Sequence, residues 1–186
     1  QLHCWLKDGL SSLDWLETLN DLRREGKVDH IGVSIRDYRP DEGVELARFG
    51  LADSIQVVFN MFEQRPAGEL FKAGEPTGTA FIARVPLDSG SLVGNWTKEG
   101  YEKFEPGSQP RSMFRGERFA ETLGRVETLK EICKPFYPTL AEAAIRYVLS
   151  VPQVSAVIPG MKCRTEVDMN IVYSDGAAFP PELAAQ

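Results

Sequence analysis

The amino-acid sequence predicts an α/β fold in which parallel strands alternate with helices. Three observations predict it. Apolar runs of strand length alternate with segments whose apolar residues recur at helical spacing. The runs are apolar at consecutive positions, as strands buried on both faces are, and helical segments separate them, as parallel strands require. The length of 186 residues suits one domain, so residues 1–186 are expected to form one.

The first third of the chain predicts three strands and two helices. Residues 1–5 and 30–35 have the pattern of strands, and leucines at near-helical spacing between them predict a helix over residues 12–25. A capping box of Ser11 with Asp14 is expected to begin this helix, and Gly26 to end it in the left-handed conformation. Pro40 begins a second helix that ends near Gly50, and residues 54–62 form the next strand.

The middle of the chain continues this alternation and then interrupts it. A short helix is predicted over residues 67–73 and a strand over residues 80–85. Residues 87–118 hold five glycines and two prolines without sustained periodicity, which predicts a long loop. Because loops of this length in compact domains are often functional, the segment is either a loop that covers substrate or a tolerated surface insertion.

The last third predicts two helices, a strand and a final short helix. The helices are expected over residues 117–134 and 140–149, and Thr139 with Glu142 forms a capping box for the second. Residues 154–158 form the fifth strand. Thr165 with Asp168 is expected to cap a helix towards Val172, and residues 174–186 add at most one helical turn.

Two architectures fit five strands with helical crossovers: an open doubly wound sheet and a stretch of a (β/α)₈ TIM barrel. The sequence contains neither GxGxxG nor GxxxxGK, the glycine-rich turns of dinucleotide- and mononucleotide-binding sheets, which favours the barrel. A complete barrel needs roughly 250 residues. We therefore predict a partial (β/α)₈ barrel that lacks its N-terminal βα units. The chain opens with Gln1 rather than Met and within a strand, as if cut inside a structural element.

Composition argues against several classes of function. With 27 acidic and 21 basic residues the net charge is −6, so a broad basic surface for nucleic acid or anionic lipid is not expected. Three distant cysteines without a CxxC pair indicate neither a disulfide framework nor a zinc site, and they fit a reducing cytoplasm. No apolar run approaches the roughly 20 residues that span a bilayer, and no segment resembles a secretory signal. We expect no metal, no membrane and no nucleic-acid partner.

Functional groups of a parallel barrel gather at the carboxyl ends of its strands, and there the sequence becomes specific. The motifs Leu2-His3-Cys4-Trp5, Ile31-Gly32-Val33-Ser34, Gln56 with Asn60, Pro86-Leu87-Asp88-Ser89-Gly90, Ile158-Pro159-Gly160 and Asn170 follow one another in this order. This ordered set resembles the aldo-keto reductase family over essentially the whole chain. The resemblance implies strands four to eight of the family's barrel, and hydride transfer between a nicotinamide cofactor, usually NADPH, and a small aldehyde or ketone.

The resemblance also implies a catalytic residue. The family uses an aspartate, a tyrosine, a lysine and a histidine, of which the histidine matches His3. The other three lie upstream of Gln1 in the family, so the isolated chain is expected to be inactive. An alternative is a non-catalytic, nicotinamide-binding regulatory subunit on the same fold. Without the motif, His3 would be an ordinary hydrogen-bonded strand residue.

Cofactor-binding residues follow from the same resemblance. Ser34 and Gln56 match the positions that hold the nicotinamide carboxamide, although Ile35 stands where the family usually has Asn. Arg84 stands near the family's stacking aromatic and could lie against the ring or meet a phosphate. The remaining matches are Pro86, Leu87, Ser89 and Gly90 for the pyrophosphate, Ile158, Gly160, Lys162, Arg164 and Glu166 around the adenosine phosphate, and Asn170 for adenine.

The basic pair Lys162 and Arg164 favours NADP, with NAD as the alternative. Glu166 replaces the family's usual Gln, and its carboxylate would repel a 2′-phosphate or bind a ribose hydroxyl. A capped helix start with surface bases is the plain structural alternative. Cys4 is expected to point away from His3, since neighbours on a strand face opposite ways, which argues against a shared metal site.

Overall fold

Five parallel strands form one sheet in the computed structural model, which describes residues 1–5 and 7–184. In chain order they are β1 (Leu2–Trp5), β2 (Gly32–Ile35), β3 (Ser54–Val58), β4 (Ala80–Arg84) and β5 (Val154–Ile158). Each strand pairs in parallel with the next along the chain. The predicted parallel α/β arrangement is therefore confirmed.

Helices follow the strands as the periodicity indicates. They are α1 (Asp14–Arg24), α2 (Val44–Arg48), α3 (Leu70–Gly74), α4 (Gln109–Met113), α5 (Glu117–Cys133), α6 (Leu140–Leu149), α7 (Arg164–Val172) and α8 (Pro181–Ala184). Short 3₁₀ helices lie at Lys7–Leu10, Pro40–Gly43, Arg65–Ala67, Asp88–Val93 and Lys98–Lys103. The chain forms two compact units, Gln1–Arg84 with Val151–Ile158, and Val85–Ser150 with Pro159–Gln186. That residues 1–186 make one domain stays a prediction.

The core of the first unit lies against one face of the sheet. Alternate strand residues are buried there, and the strand register places them side by side: Val33, Ile35, Ile55, Val57, Phe81 and Ala83. We call this the core face. Phe71 of α3 packs between Phe59 and Phe81, with ring centroids 5.1 and 4.7 Å away. Burial of these large side chains supplies the main hydrophobic stabilisation of the unit.

Strand β3 is shorter than predicted, because Asn60 turns the chain. The buried Asn60 side chain accepts hydrogen bonds from the backbone N–H groups of Phe62 and Glu63, at 2.8 and 2.9 Å. An asparagine that bonds to the backbone two residues on makes a turn and prevents an extended conformation. The apolar residues after Val58 therefore do not prolong the strand.

The structure confirms the predicted cap at Thr139 and the left-handed Gly26, and it contradicts two other predicted caps. Thr139 caps α6, since its hydroxyl accepts the N–H of Glu142 at 3.2 Å, and Gly26 has a φ of 71°. The Ser11 cap is wrong, because that hydroxyl donates to the carbonyl of Asp8 at 2.5 Å. The Thr165 cap is also wrong, because α7 begins at Arg164 and its flanking residue is Cys163.

The segment predicted as a long loop contains short helices of the second unit. Helix α4 and two 3₁₀ helices lie within residues 87–118, and their aromatic side chains pack together. The ring of Trp96 is 4.9 Å from Phe104, 4.9 Å from Phe114 and 5.9 Å from Phe119. Helices of one or two turns are too short to display a period, so the sequence pattern misses them.

An ion-pair network in the second unit predicts acid sensitivity. Nη1 and Nη2 of the buried Arg146 donate to the Asp175 carboxylate at 2.6 and 3.0 Å, and Nε donates to Glu142 at 2.9 Å. The hydrogen bond from Arg146 lowers the pKa of Asp175 from 3.8 to about 2.

Since folding favours the ionised form of Asp175, the contribution of this carboxylate to the free energy of unfolding is complete above about pH 4 and is lost as pH falls towards 2. Urea unfolding between pH 5 and 2 should show this loss, which Asp175→Asn and Arg146→Met should each abolish; an unchanged pH slope in both would contradict it.

Candidate functional site

Polar side chains at the carboxyl ends of β2, β3 and β4 share the sheet face opposite the core. Ser34 is the register partner of Gln56, and Val58, two residues further along β3, is the partner of Arg84. Register partners in a parallel sheet project from the same face, and so do residues two apart on one strand. Ser34, Gln56 and Arg84 therefore project from one face, which we call the site face. Ser34 is buried, and Gln56 and Arg84 are partly buried.

A bulge in β1 brings two further side chains to the site face. Leu2 pairs with Val33 and Trp5 pairs with Ile35, so three steps along β1 match two along β2. Cys4 has a φ of 59°, which absorbs the extra residue. Because Leu2 and Trp5 both align with the core face, His3 and Cys4 between them lie on the site face.

The expected opposite orientation of Cys4 and His3 is therefore wrong. The Cys4 sulfur lies 3.2 Å from Nδ1 of His3, and both side chains are exposed. Alternation along a strand holds only where pairing is regular, and a bulge suspends it. A sequence alone carries no signal for a bulge at this position.

Arg84 is anchored across the end of β2. Its Nη2 atom donates to the Ile35 carbonyl at 3.2 Å and to the Asp37 carboxylate, and its side chain is 17% exposed. Asp37 was not among the predicted site residues. Ile35, where the resemblance predicts an asparagine, has its side chain buried in the core face, and its carbonyl serves as an acceptor.

A buried carboxylate holds the loop that carries Asp37. Glu42 is almost wholly buried, and it accepts Nε of Arg36 at 2.9 Å together with a second bond from the same guanidinium. This hydrogen bonding lowers the pKa of Glu42 and outweighs the opposite effect of burial. The loop from Arg36 to Arg39 is thus fixed against the 3₁₀ helix at Pro40–Gly43.

The turn that follows β4 has an unusual backbone. Val85, Asp88 and Ser89 all have positive φ values, of 56°, 45° and 54°. Such values are uncommon outside glycine and are held only where surrounding contacts enforce them. Buried Asp88 accepts the Ser91 hydroxyl at 2.7 Å, and the N–H of Gly90 donates to the carbonyl of Leu87 at 2.9 Å.

Gly90 is required by the fold of this turn. Its φ is 104°, and a Cβ atom there would lie 3.3 Å from the Trp96 ring. The neighbouring Pro86 is buried, whereas Leu87 and Ser89 are half-buried. The predicted pyrophosphate residues thus lie in one turn of the second unit, where Gly90 closely approaches the Trp96 ring.

The start of α7 carries the predicted basic side chains. Lys162, Arg164 and Glu166 are exposed, and Arg164 pairs with Asp168 at 3.7 Å. A carboxylate oxygen of Glu166 accepts the backbone N–H of Lys162 at 2.5 Å. Gly160 is exposed, with nothing within 4 Å of the position of an added Cβ, and Asn170 is half-buried on the same helix. Ile158, at the end of β5 in the first unit, is 44% exposed.

Two grooves in the second unit lie away from the predicted residues. One of about 380 Å³ is lined by the end of α5 and the start of α6, and one of about 740 Å³ by residues 94–98 and α5. Across residues 1–5 and 7–184, no three metal-ligating side chains cluster closely enough to hold an ion. In the same part of the chain, no helix is both long and apolar enough to cross a membrane.

Comparison with known proteins identifies the class. A sequence model described as the aldo/keto reductase family matches residues 1–184, and the chain belongs to this family. Among curated proteins, pyridoxal 4-dehydrogenase of Microbacterium luteolum is 21% identical over 171 residues, which are 89% of this chain and 45% of that protein. The predicted family is therefore confirmed.

Solved structures agree in fold. Glycerol dehydrogenase of Gluconobacter oxydans aligns with a TM-score of 0.73 at 21% identity, over 91% of this chain and 51% of that one. The holo form of an aldo-keto reductase from Bacillus halodurans aligns with a TM-score of 0.74 at 22% identity, over 100% and 55%. The fold is similar to that of aldo-keto reductase (β/α)₈ barrels, and the chain spans about half the length of these relatives.

Proposed function

We propose that this chain is the C-terminal portion of an NADP-dependent oxidoreductase that reduces small aldehydes or ketones to alcohols. The observation that carries the proposal is the site face, where an imidazole, a hydroxyl and a side-chain amide project together. Membership of the aldo/keto reductase family supports an oxidoreductase. We also propose a cytoplasmic location, because three distant cysteines without a CxxC pair fit a reducing compartment.

Ser34 and Gln56 are suited to hold a nicotinamide carboxamide. A carboxamide has one N–H₂ donor and one carbonyl acceptor, which a hydroxyl and a side-chain amide can both satisfy. The two residues lie on adjacent strands in direct register, and strands are about 4.8 Å apart, so both can reach one small planar group. Because Asp37 and the Ile35 carbonyl already engage Nη2 of Arg84, we favour a stacking role for this guanidinium over phosphate binding.

His3 orients the carbonyl oxygen of the substrate in this proposal. When bound, the nicotinamide supplies the hydride. The carbonyl oxygen gains negative charge as hydride arrives, and a hydrogen bond from the His3 imidazole stabilises that charge. The proton that completes the alcohol comes from a donor outside these 186 residues. His3 is exposed on the site face, as contact with a substrate requires.

The other predicted residues are proposed to hold the remainder of the dinucleotide. The turn formed by Pro86, Leu87, Ser89 and Gly90 is proposed for the pyrophosphate, and Ile158, Gly160 and Asn170 for the adenosine. The unpaired N–H groups at the start of α7, with Lys162 and Arg164, suit a 2′-phosphate. The backbone N–H of Lys162 already donates to the carboxylate of Glu166. We therefore attribute the preference for NADP to the side chains of Lys162 and Arg164.

A nucleotide titration tests the cofactor assignment. In the full-length protein, quenching of tryptophan fluorescence should show tighter binding of NADPH than of NADH. Lys162→Ala with Arg164→Ala should weaken NADPH binding by about tenfold, since each loses a charge-assisted hydrogen bond near the surface, and should change NADH binding little. Exposed Lys27→Ala is the matched control. Equal or tighter binding of NADH by the unmodified protein would overturn the NADP assignment.

An activity assay distinguishes an enzyme from the alternative, a non-catalytic regulatory subunit that binds nicotinamide nucleotides. Two aldehydes are suitable first substrates: pyridoxal, because one similar protein is named a pyridoxal 4-dehydrogenase, and glyceraldehyde, the aldehyde that corresponds to glycerol, because another is named a glycerol dehydrogenase. NADPH-dependent reduction of either by the full-length protein would support the proposal. Nucleotide binding without reduction of any of a panel of aldehydes and ketones would favour the non-catalytic subunit.

A further inference from the structure

The bulge in β1 gives His3 a neighbour that a regular strand would not provide. The Cys4 sulfur is 3.2 Å from Nδ1 of the imidazole and 3.9 Å from Nε2, so Nδ1 is the nearer nitrogen. A thiol is a weak donor, and a neutral imidazole has one acceptor nitrogen and one N–H. If the S–H donates to Nδ1, the ring hydrogen is on Nε2.

The backbone conformation of Cys4 indicates that this residue does more than form the bulge. Its φ of 59° lies in the left-handed region, which glycine adopts with little strain and cysteine does not. The bulge itself would form more readily with glycine. The side chain that occupies this position instead points at the ring of the residue before it.

We propose that Cys4 is a positioning residue for His3: its thiol donates to Nδ1 and thereby keeps the ring hydrogen on Nε2, available to a substrate oxygen. The contact between the thiol and Nδ1 is given by the geometry, while the catalytic consequence of the proposed hydrogen bond rests on the function proposed above. The partner of one imidazole nitrogen sets the tautomer and orientation of the ring. Cys4 does not itself touch the substrate.

Nitrogen chemical shifts, assigned residue by residue in the full-length protein, test the hydrogen bond directly. The sequence has two histidines, and exposed His30 serves as an internal reference. At a pH where both rings are neutral, the ¹⁵N shift of Nδ1 in His3 should differ from that in His30. Cys4→Ser should keep the difference and Cys4→Ala should abolish it. These two variants both retain a Cβ atom and hence the same backbone strain.

Two results would overturn the hydrogen bond: equal Nδ1 shifts in His3 and His30, or a difference that Cys4→Ala leaves intact. Because this readout involves neither cofactor nor turnover, it decides the hydrogen bond even if the proposed function fails. Circular dichroism and the fluorescence of buried Trp5 check that each variant is folded like the parent chain.

Kinetics of the full-length protein test the positioning role. Cys4→Ala should lower kcat by about tenfold with little change in KM, as loss of one hydrogen bond predicts, and Cys4→Ser should restore most of the rate. Lys27→Ala is the control, since Lys27 is exposed in the first unit, pairs with Glu25 and lies outside the proposed site. An unchanged kcat in Cys4→Ala, or an equal loss in both Cys4 variants, would contradict the positioning role.

Discussion

Replacement of His3 by alanine is expected to lower kcat for carbonyl reduction by a factor of about 10² to 10³ in the full-length protein. The expected size is that of losing one preorganised hydrogen-bond donor to a developing oxyanion. His3 is exposed on the site face, so the loss should be catalytic and leave the fold intact. Steady-state rates with saturating NADPH and aldehyde measure it.

His30→Ala is the control for this substitution. The His30 side chain is 82% exposed, it lies before β2, and its nearest charged partner is Asp53 at 4.0 Å. It is expected to leave kcat unchanged. A His3→Ala protein that retains full kcat while it binds NADPH normally would remove His3 from the reaction.

Replacement of Phe71 by alanine is expected to destabilise the first unit by about 3–5 kcal/mol. Phe71 is 1% exposed and contacts the rings of Phe59 and Phe81, so truncation opens a cavity between α3 and the core face. The cost combines lost burial with the cavity that remains. Urea unfolding followed by circular dichroism measures it.

The exposed Phe49 provides a matched control for Phe71. It lies at the end of α2 in the same unit and is 66% exposed, so Phe49→Ala should change the stability by no more than about 0.5 kcal/mol. Comparable losses in the two variants would show that the aromatic packing at Phe71 does not dominate this core.

Much of the fold could be predicted because it is encoded locally. The bounds of α6 and β5 agree with the sequence prediction, since a capped amphipathic segment and an apolar run each have a clear pattern. The helices within residues 87–118 escaped prediction because each is too short to show a period. Their packing around Trp96 depends on contacts between residues that are distant in the sequence.

The candidate site likewise combines contacts that follow from a local sequence pattern with contacts that do not. Alternation along β2 and β3, with regular register between them, places Ser34 beside Gln56, and a correct strand reading is enough to find this pair. The Cys4 contact depends on a bulge, and the Asp37 contact to Arg84 depends on a loop that buried Glu42 holds. Neither arises from a local pattern, so neither could be predicted from the sequence.

A crystal structure of the full-length protein with bound NADP⁺ tests the central claim most directly. The account predicts that the nicotinamide carboxamide lies about 3 Å from the side-chain polar atoms of Ser34 and Gln56, with the ring on the site face beside His3. A nicotinamide that lies elsewhere, with Ser34 and Gln56 turned away from it, would contradict the account.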